Sequence, residues 1–163
     1  MTHAEHTVTV EASLAEVWAV LVDVERYADI FPPTQDVTIV EEGDGYQVIK
    51  LTVEVNGEVH TWKSRRDVDE ERHVIAYRQV ETAPLVDRMA GEWRAFSLGP
   101  VTTQLVLTHD YAVREPVDGK VAGRFTPEEA ETVLHNAVER NSVADLGAVR
   151  QEAERRQATV PGR

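Results

Sequence analysis

Three residues of this chain have side chains that together suit acid–base and electrostatic chemistry: Arg66, His109 and Asp145. A histidine gives or takes a proton near neutral pH. A fixed guanidinium stabilises negative charge growing on an oxygen, and a carboxyl group orients the imidazole or exchanges a proton itself. The three lie far apart along the chain, so only the phase of the elements carrying them can bring them together. In the strand pattern of Val101 to Arg114, His109 alternates in step with Leu105, Leu107, Tyr111 and Val113. In Glu58 to Val68 the face with Trp62 also carries His60, Ser64 and Arg66, and we assign it inward, leaving Arg65 in solvent. From Thr126 to about Arg156, Ala130, Val133, Leu134, Ala137, Val138, Ala148 and Val149 form one apolar stripe. At about 100° per residue, Asn141 and Asp145 fall in its centre.

Each residue alone also has a structural reading. A histidine on an apolar face is often a satisfied core residue, an inward arginine at a strand end can snorkel, and Asn141 or Asp145 could bind a neighbouring loop's amides. Buried ionisable groups are costly unless paired, however, and three aimed at one enclosed space point to chemistry. Trp93 shares its face with Gly91, Ala95 and Ser97, with Met89 in phase; small residues around a large ring suit a ligand-lining wall or close core packing.

Sharper motifs are missing from the sequence. Gly43-Asp44-Gly45 precedes no helix and is not a phosphate loop. The six histidines, His3, His6, His60, His73, His109 and His135, have no zinc-ligand spacing. No nucleophile elbow stands before a helix. The expected chemistry is therefore free of cofactor and metal, carried by general acid–base groups and charge stabilisation.

The elements that must position these groups are legible as periods. His6 to Val10 alternates as a strand. Ser13 caps a helix with a buried face of Leu14, Val17, Trp18, Leu21 and Val22, and Glu16 completes a capping box. Asp23 opens a short helical turn through Tyr27 to Ile30 that Phe31-Pro32-Pro33 stops. Strands follow at Gln35 to Glu42, Tyr46 to Val55, Glu58 to Val68, His73 to Glu81, Met89 to Leu98 and Val101 to Arg114. Asn56-Gly57 marks a tight hairpin. Thr126-Pro127-Glu128-Glu129 then opens the long helix with a capping box and proline at its first position. Short connections predict an antiparallel meander, and a single amphipathic helix across it predicts an α+β domain. A strongly curved sheet gripping that helix would leave a cavity between them.

Composition sets the outer limits. The 163 residues are the length of one domain, read as 1–156 with a frayed tail at 157–163. A net charge of −12 argues against nucleic acid as a partner. No apolar run is long enough to span a membrane, and the first residues lack the features of a signal peptide, so a cytoplasmic location is expected. The absence of cysteine excludes disulfides and thiolate chemistry.

Strand, two helical segments, six strands and a long last helix is the order of the helix-grip fold of the START and Bet v 1 superfamily. Within it the sequence resembles the single-domain aromatase/cyclases of bacterial type II polyketide pathways. The resemblance is carried by Tyr-Ala-Asp-Ile-Phe-Pro-Pro at 27–33, Trp62-Lys-Ser-Arg-Arg-Asp67, Ala76-Tyr-Arg-Gln79, Glu81-Thr-Ala-Pro84, Gly91-Glu-Trp-Arg-Ala-Phe96, Leu105-Val-Leu-Thr-His-Asp110 and Glu139-Arg-Asn-Ser-Val-Ala-Asp-Leu146. It runs from about His3 to Arg156.

The resemblance implies a curved seven-stranded antiparallel sheet around the long helix with an internal cavity. It also implies an enzyme that folds a linear poly-β-ketone tethered to an acyl carrier protein, closes the first ring by an aldol step and aromatises it by loss of water. The match is to members that join chain carbons 7 and 12; others join carbons 9 and 14. Other type II polyketide synthase components are implied partners. The family's working groups correspond to Arg66, His109 and Asp145, with His109 oriented by a hydrogen bond with Asp145 and able to act as acid or base. Phe31, Trp62, Met89 and Trp93 are expected as cavity walls, and Asn141 as a ketone ligand. Because carrier proteins are acidic, a local basic patch near the cavity mouth is expected as well. The main alternative is a non-enzymatic carrier of an apolar ligand on the same fold; a coenzyme or toxin–antitoxin module is a third.

Overall fold

The structure, a computed structural model, describes residues 1–55 and 57–160. Strand β1 (Thr2–Val10) leads to helix α1 (Leu14–Val22), a 3-10 turn (Val24–Arg26) and the short helix α2 (Tyr27–Ile30). Six strands follow: β2 (Thr34–Gly43), β3 (Tyr46–Val55), β4 (Glu58–Asp69), β5 (Val74–Glu81), β6 (Val86–Gly99) and β7 (Thr102–Val113). Helix α3 (Pro127–Ala158) closes the chain. The seven strands form one antiparallel sheet in the order β1-β7-β6-β5-β4-β3-β2. The meander pairs with its sequential neighbours, and β1 returns to the far edge against β7.

The boundaries differ from the periodic reading where pairing overrides pattern. β1 begins at Thr2 rather than His6, because β7 offers partners as far as Tyr111. β6 begins at Val86 for the same reason, pairing with Val113. His73 leaves the strand for the turn, with a left-handed φ of 58°. The hairpin expected at Asn56-Gly57 joins β3 to β4, with Val55 paired to Glu58 and Gly57 at φ 80°; Asn56 itself lies outside the described residues.

The two helix starts resolve differently. Thr126 and Glu129 exchange both bonds of a capping box, with Pro127 in the first turn. At α1 the Ser13 side chain accepts from the Glu16 amide, but the Ser13 N–H donates to Gln157 Oε1 at 2.9 Å instead of to Glu16. The expected tail therefore starts too early. Gln157 is 5 % exposed and helical, tied to the start of α1 by that bond. Residues 161–163 of the tail lie outside the described residues.

The core has two parts. In the larger, α1, α2 and the last half of α3 (Leu146, Val149, Ala153) pack on Ile49, Ile75, Trp93, Leu105 and Leu107 of the sheet. In the smaller, Leu134 and Val138 of α3 meet Ala4, Val86, Met89 and Tyr111. Between the first half of α3 and the concave face lies a cavity of about 600 Å³. No helix among the described residues is long and apolar enough to cross a membrane.

Candidate active site

The cavity brings together all eight residues singled out above: Arg66, His109, Asp145, Phe31, Trp62, Met89, Trp93 and Asn141. Strand β4 carries its axis. Glu58, His60, Trp62, Ser64 and Arg66 line it in strict alternation, from exposed Glu58 to Arg66, which is 3 % exposed. At strand rise this spans about 27 Å. The exposed lining residues Glu58, Pro84, Ala122 and Arg124 mark the mouth. There Arg124 pairs with Glu58 at 2.8 Å, so this cation of the expected basic patch is already bound to an acid.

Arg66 forms the floor. Its Nη2 donates to the Leu21 carbonyl (2.7 Å) and to Tyr27 Oη (2.8 Å), and Nη1 donates to Gln47 Oε1 (3.3 Å). These bonds fix the guanidinium plane beside an aromatic cluster, in which Phe31 stands edge-on to Tyr27 and 6.3 Å from Trp93. A guanidinium held by neutral acceptors keeps its full charge, available to an oxygen in the cavity.

Register places Arg66 and His109 in one row across the sheet. Gln47 pairs with Arg66, Arg66 with Tyr77 and Tyr77 with Gly91, while Ala4 pairs with His109. The pairs Ala90–Asp110 and Trp93–Leu107 put Gly91 opposite His109. Arg66 and His109 are thus three strand spacings apart, about 14 Å along the sheet, and less across its concavity.

His109 is held from the helix, by a different group from the one expected. Ser142 Oγ lies 3.3 Å from His109 Nδ1 and donates its own hydrogen to the Val138 carbonyl at 2.6 Å. Nδ1 is therefore the donor, and Nε2 carries the ring's lone pair. Among the described residues no hydrogen bond joins Asp145 to His109. Asp145 sits one helical turn beyond Ser142, about 5–6 Å away between Cβ atoms, and Ser142 occupies the place the sequence reading gave it.

Burial sets both titrations. It lowers the His109 imidazole to about 4, with help from nearby His6 and against Asp110 and Glu139. It raises the Asp145 carboxyl to about 7. Tyr27 and Tyr77 are also pushed up, first by burial and then in part by the Asp145 charge. Between about pH 4 and 7 the histidine is neutral and the aspartic acid protonated, an inversion of their order in water. Among the described residues, no group of three or more His, Asp or Glu gathers as metal ligands.

Ser142, Tyr77 and Tyr27 were not singled out as site residues from the sequence. Ser142 had a usable signal: it lies on α3 between Asn141 and Asp145, and is fully buried. Tyr77 is in phase with Ile75, and Tyr27 opens the motif at 27–33.

A model of the family "Polyketide cyclase / dehydrase and lipid transport" matches residues 10–138, a span that includes Arg66 and His109 and ends before Asp145. The Zhui aromatase/cyclase from Streptomyces sp. R1128 is 61 % identical in sequence, with a TM-score of 0.95 over 99 % of this chain and 98 % of that one. The granaticin polyketide synthase bifunctional cyclase/dehydratase of Streptomyces violaceoruber is 33 % identical over 151 residues, 93 % of this chain and 44 % of the relative. The chain thus spans about half the length of the curated relatives it matches first. A START superfamily protein from Mycobacterium smegmatis shares the fold at 21 % identity, with a TM-score of 0.70 over 91 % of this chain and 97 % of that one. The helix-grip architecture, the cavity and these likenesses agree: the chain belongs to the polyketide cyclase/dehydrase and lipid transport family, on its aromatase/cyclase branch.

Proposed function

We propose that this protein is an aromatase/cyclase that closes and aromatises the first ring of a poly-β-ketone delivered by an acyl carrier protein, joining chain carbons 7 and 12. The observation that carries the reading is that Arg66 of β4, His109 of β7 and Asp145 of α3 line one cavity, where burial favours a neutral histidine and a protonated carboxyl. Their chemistry closes without an external acid or base.

In the aldol step His109 Nε2 takes a proton from a methylene between two ketones. The enolate carbon attacks the target carbonyl carbon, and Asp145 protonates the oxygen that was the carbonyl. Arg66 stabilises the negative charge on oxygen along the way. The pair is now imidazolium and carboxylate. In the dehydration step the imidazolium protonates the departing hydroxyl, which leaves as water, and the Asp145 carboxylate takes the neighbouring C–H proton. Both groups return to their starting states, one water is released, and enolisation completes the aromatic ring. Phe31, Trp62, Met89 and Trp93 shape the chain in the cavity, and Asn141 donates to a ketone.

The purified protein added to a minimal polyketide synthase tests this. The expected result is a shift from a mixture of spontaneous cyclisation products to one first-ring pattern joining carbons 7 and 12. An unchanged product mixture, with tight uptake of an apolar ligand, would instead support a carrier.

A further inference from the structure

Beside His109 the ladder between β6 and β7 is open. Ala90 pairs with Asp110 and Trp93 with Leu107, but Gly91 and Glu92 between them have no ladder partner on β7 among the described residues. Two side chains take over. The Glu92 amide donates to Thr108 Oγ1 at 3.0 Å, and the Tyr77 hydroxyl donates to the Thr108 carbonyl at 2.6 Å. Tyr77 belongs to β5, so its phenol crosses the whole of β6 to reach β7.

Only Gly91 allows that crossing. It is the row neighbour of Tyr77, and a Cβ there would overlap the Thr108 carbonyl oxygen and come within 2.6 Å of Tyr77 Oη. The crossing ring then stands edge-on to the His109 imidazole, centroids 5.8 Å apart and planes at 70°. His109 is thereby held on two sides: Ser142 bonds its Nδ1 from α3, while Tyr77 abuts its ring and anchors the carbonyl of the preceding residue. A strand released from its ladder would otherwise let that backbone drift.

We propose that Tyr77, seated over Gly91, is a positioning residue that fixes the ring plane and backbone of His109 in the cavity. The assignment rests on the proposed cyclase reading for its effect on catalysis, but not for its effect on His109 itself.

The test is Tyr77→Phe in the full chain, which removes the hydroxyl and keeps the ring. In Tyr77→Phe, amide hydrogen exchange at Glu92, His109 and Asp110 is expected to accelerate, and the His109 Nδ1–H proton resonance to broaden. The kcat for the single-ring-pattern product should fall on the order of tenfold with KM unchanged, short of the roughly 10²-fold that an ångström of misplacement can cost. Wild-type exchange and an unchanged His109 signal in Tyr77→Phe would overturn the proposal. So would a loss of activity with that signal intact, which would make Tyr77 a substrate contact. If the wild type itself cyclises nothing, the cyclase reading fails, while the exchange and resonance data still decide the role of Tyr77.

Discussion

Ser142 Oγ accepts a hydrogen bond from His109 Nδ1 because its own hydrogen is committed to the Val138 carbonyl. A hydroxyl without that commitment could serve either tautomer; this one selects Nδ1–H and leaves Nε2 basic. Ser142→Ala should release the selection. The imidazole nitrogen shifts should then report a mixture of tautomers, and turnover should drop tenfold or more, a share of the roughly 10²–10⁴-fold that a positioned base supplies. An unaltered tautomer in the variant would show that other contacts set it.

His109 and Asp145 make opposite contributions to stability against pH. The folded-state pKa of His109 is about 4, below its ordinary 6.5, so the unfolded chain binds that proton first. Its contribution rises with pH between those values, by about 3 kcal/mol, and is lost again as pH falls. Asp145 is at about 7 against an ordinary 3.8, so the folded chain binds its proton first. Its contribution falls as pH rises over that range, by about 4 kcal/mol. Denaturant unfolding across pH 4 to 8 should separate them. Relative to the wild type, Asp145→Asn should gain stability progressively toward pH 7, and His109→Gln should gain it toward pH 4.

The same inversion shapes activity. The state with neutral His109 and protonated Asp145 dominates only between their titrations, so kcat/KM should trace a bell with limbs near pH 4 and 7. Asp145→Asn should remove the alkaline limb and lower the plateau on the order of 10²-fold. A wild-type profile still rising through pH 8 would assign Asp145 as the base of the first step.

Gln157 joins the two ends of the fold through the Ser13 amide. Gln157→Ala removes that part-buried bond and should cost about 0.5–1.5 kcal/mol in urea unfolding. Truncation after Arg156 should cost at least as much. An equal stability of truncated and full chains would return residue 157 to the tail.

The sequence made the architecture and the inward faces legible because both follow from period: alternation in β4 and β7, and the helical stripe of α3, aimed Arg66, His109 and Asp145 at one cavity. What period does not carry is which polar groups meet. The partner of His109 was read as Asp145, the charged residue, when one turn of helix separates it from the serine that makes the bond. Gly91 was legible as a small residue beside Trp93 on its own strand, but the residue its size serves is Tyr77 on the neighbouring strand β5, and only register reveals that. Glu16 fitted the capping-box spacing, yet Gln157, more than a hundred residues away, took the Ser13 amide. Local patterns cannot anticipate a distant competitor for the same donor.

Helix α3 divides its labour by position. Every residue it gives to the cavity, from Val133 to Asp145, precedes Leu146, and the core contacts it makes with α1 and the sheet's larger cluster begin there. Its attachment to the larger core is thus concentrated at one end, while the cavity-lining half is held by Leu134 and Val138 in the smaller core and by the bond between Glu139 and His6. Cavity-lining positions of α3 outside both clusters, Val133 and Asn141, can be exchanged while the anchoring residues stay intact, so the shape of the cavity is open to change by evolution, or by an engineer, without the fold having to be solved again.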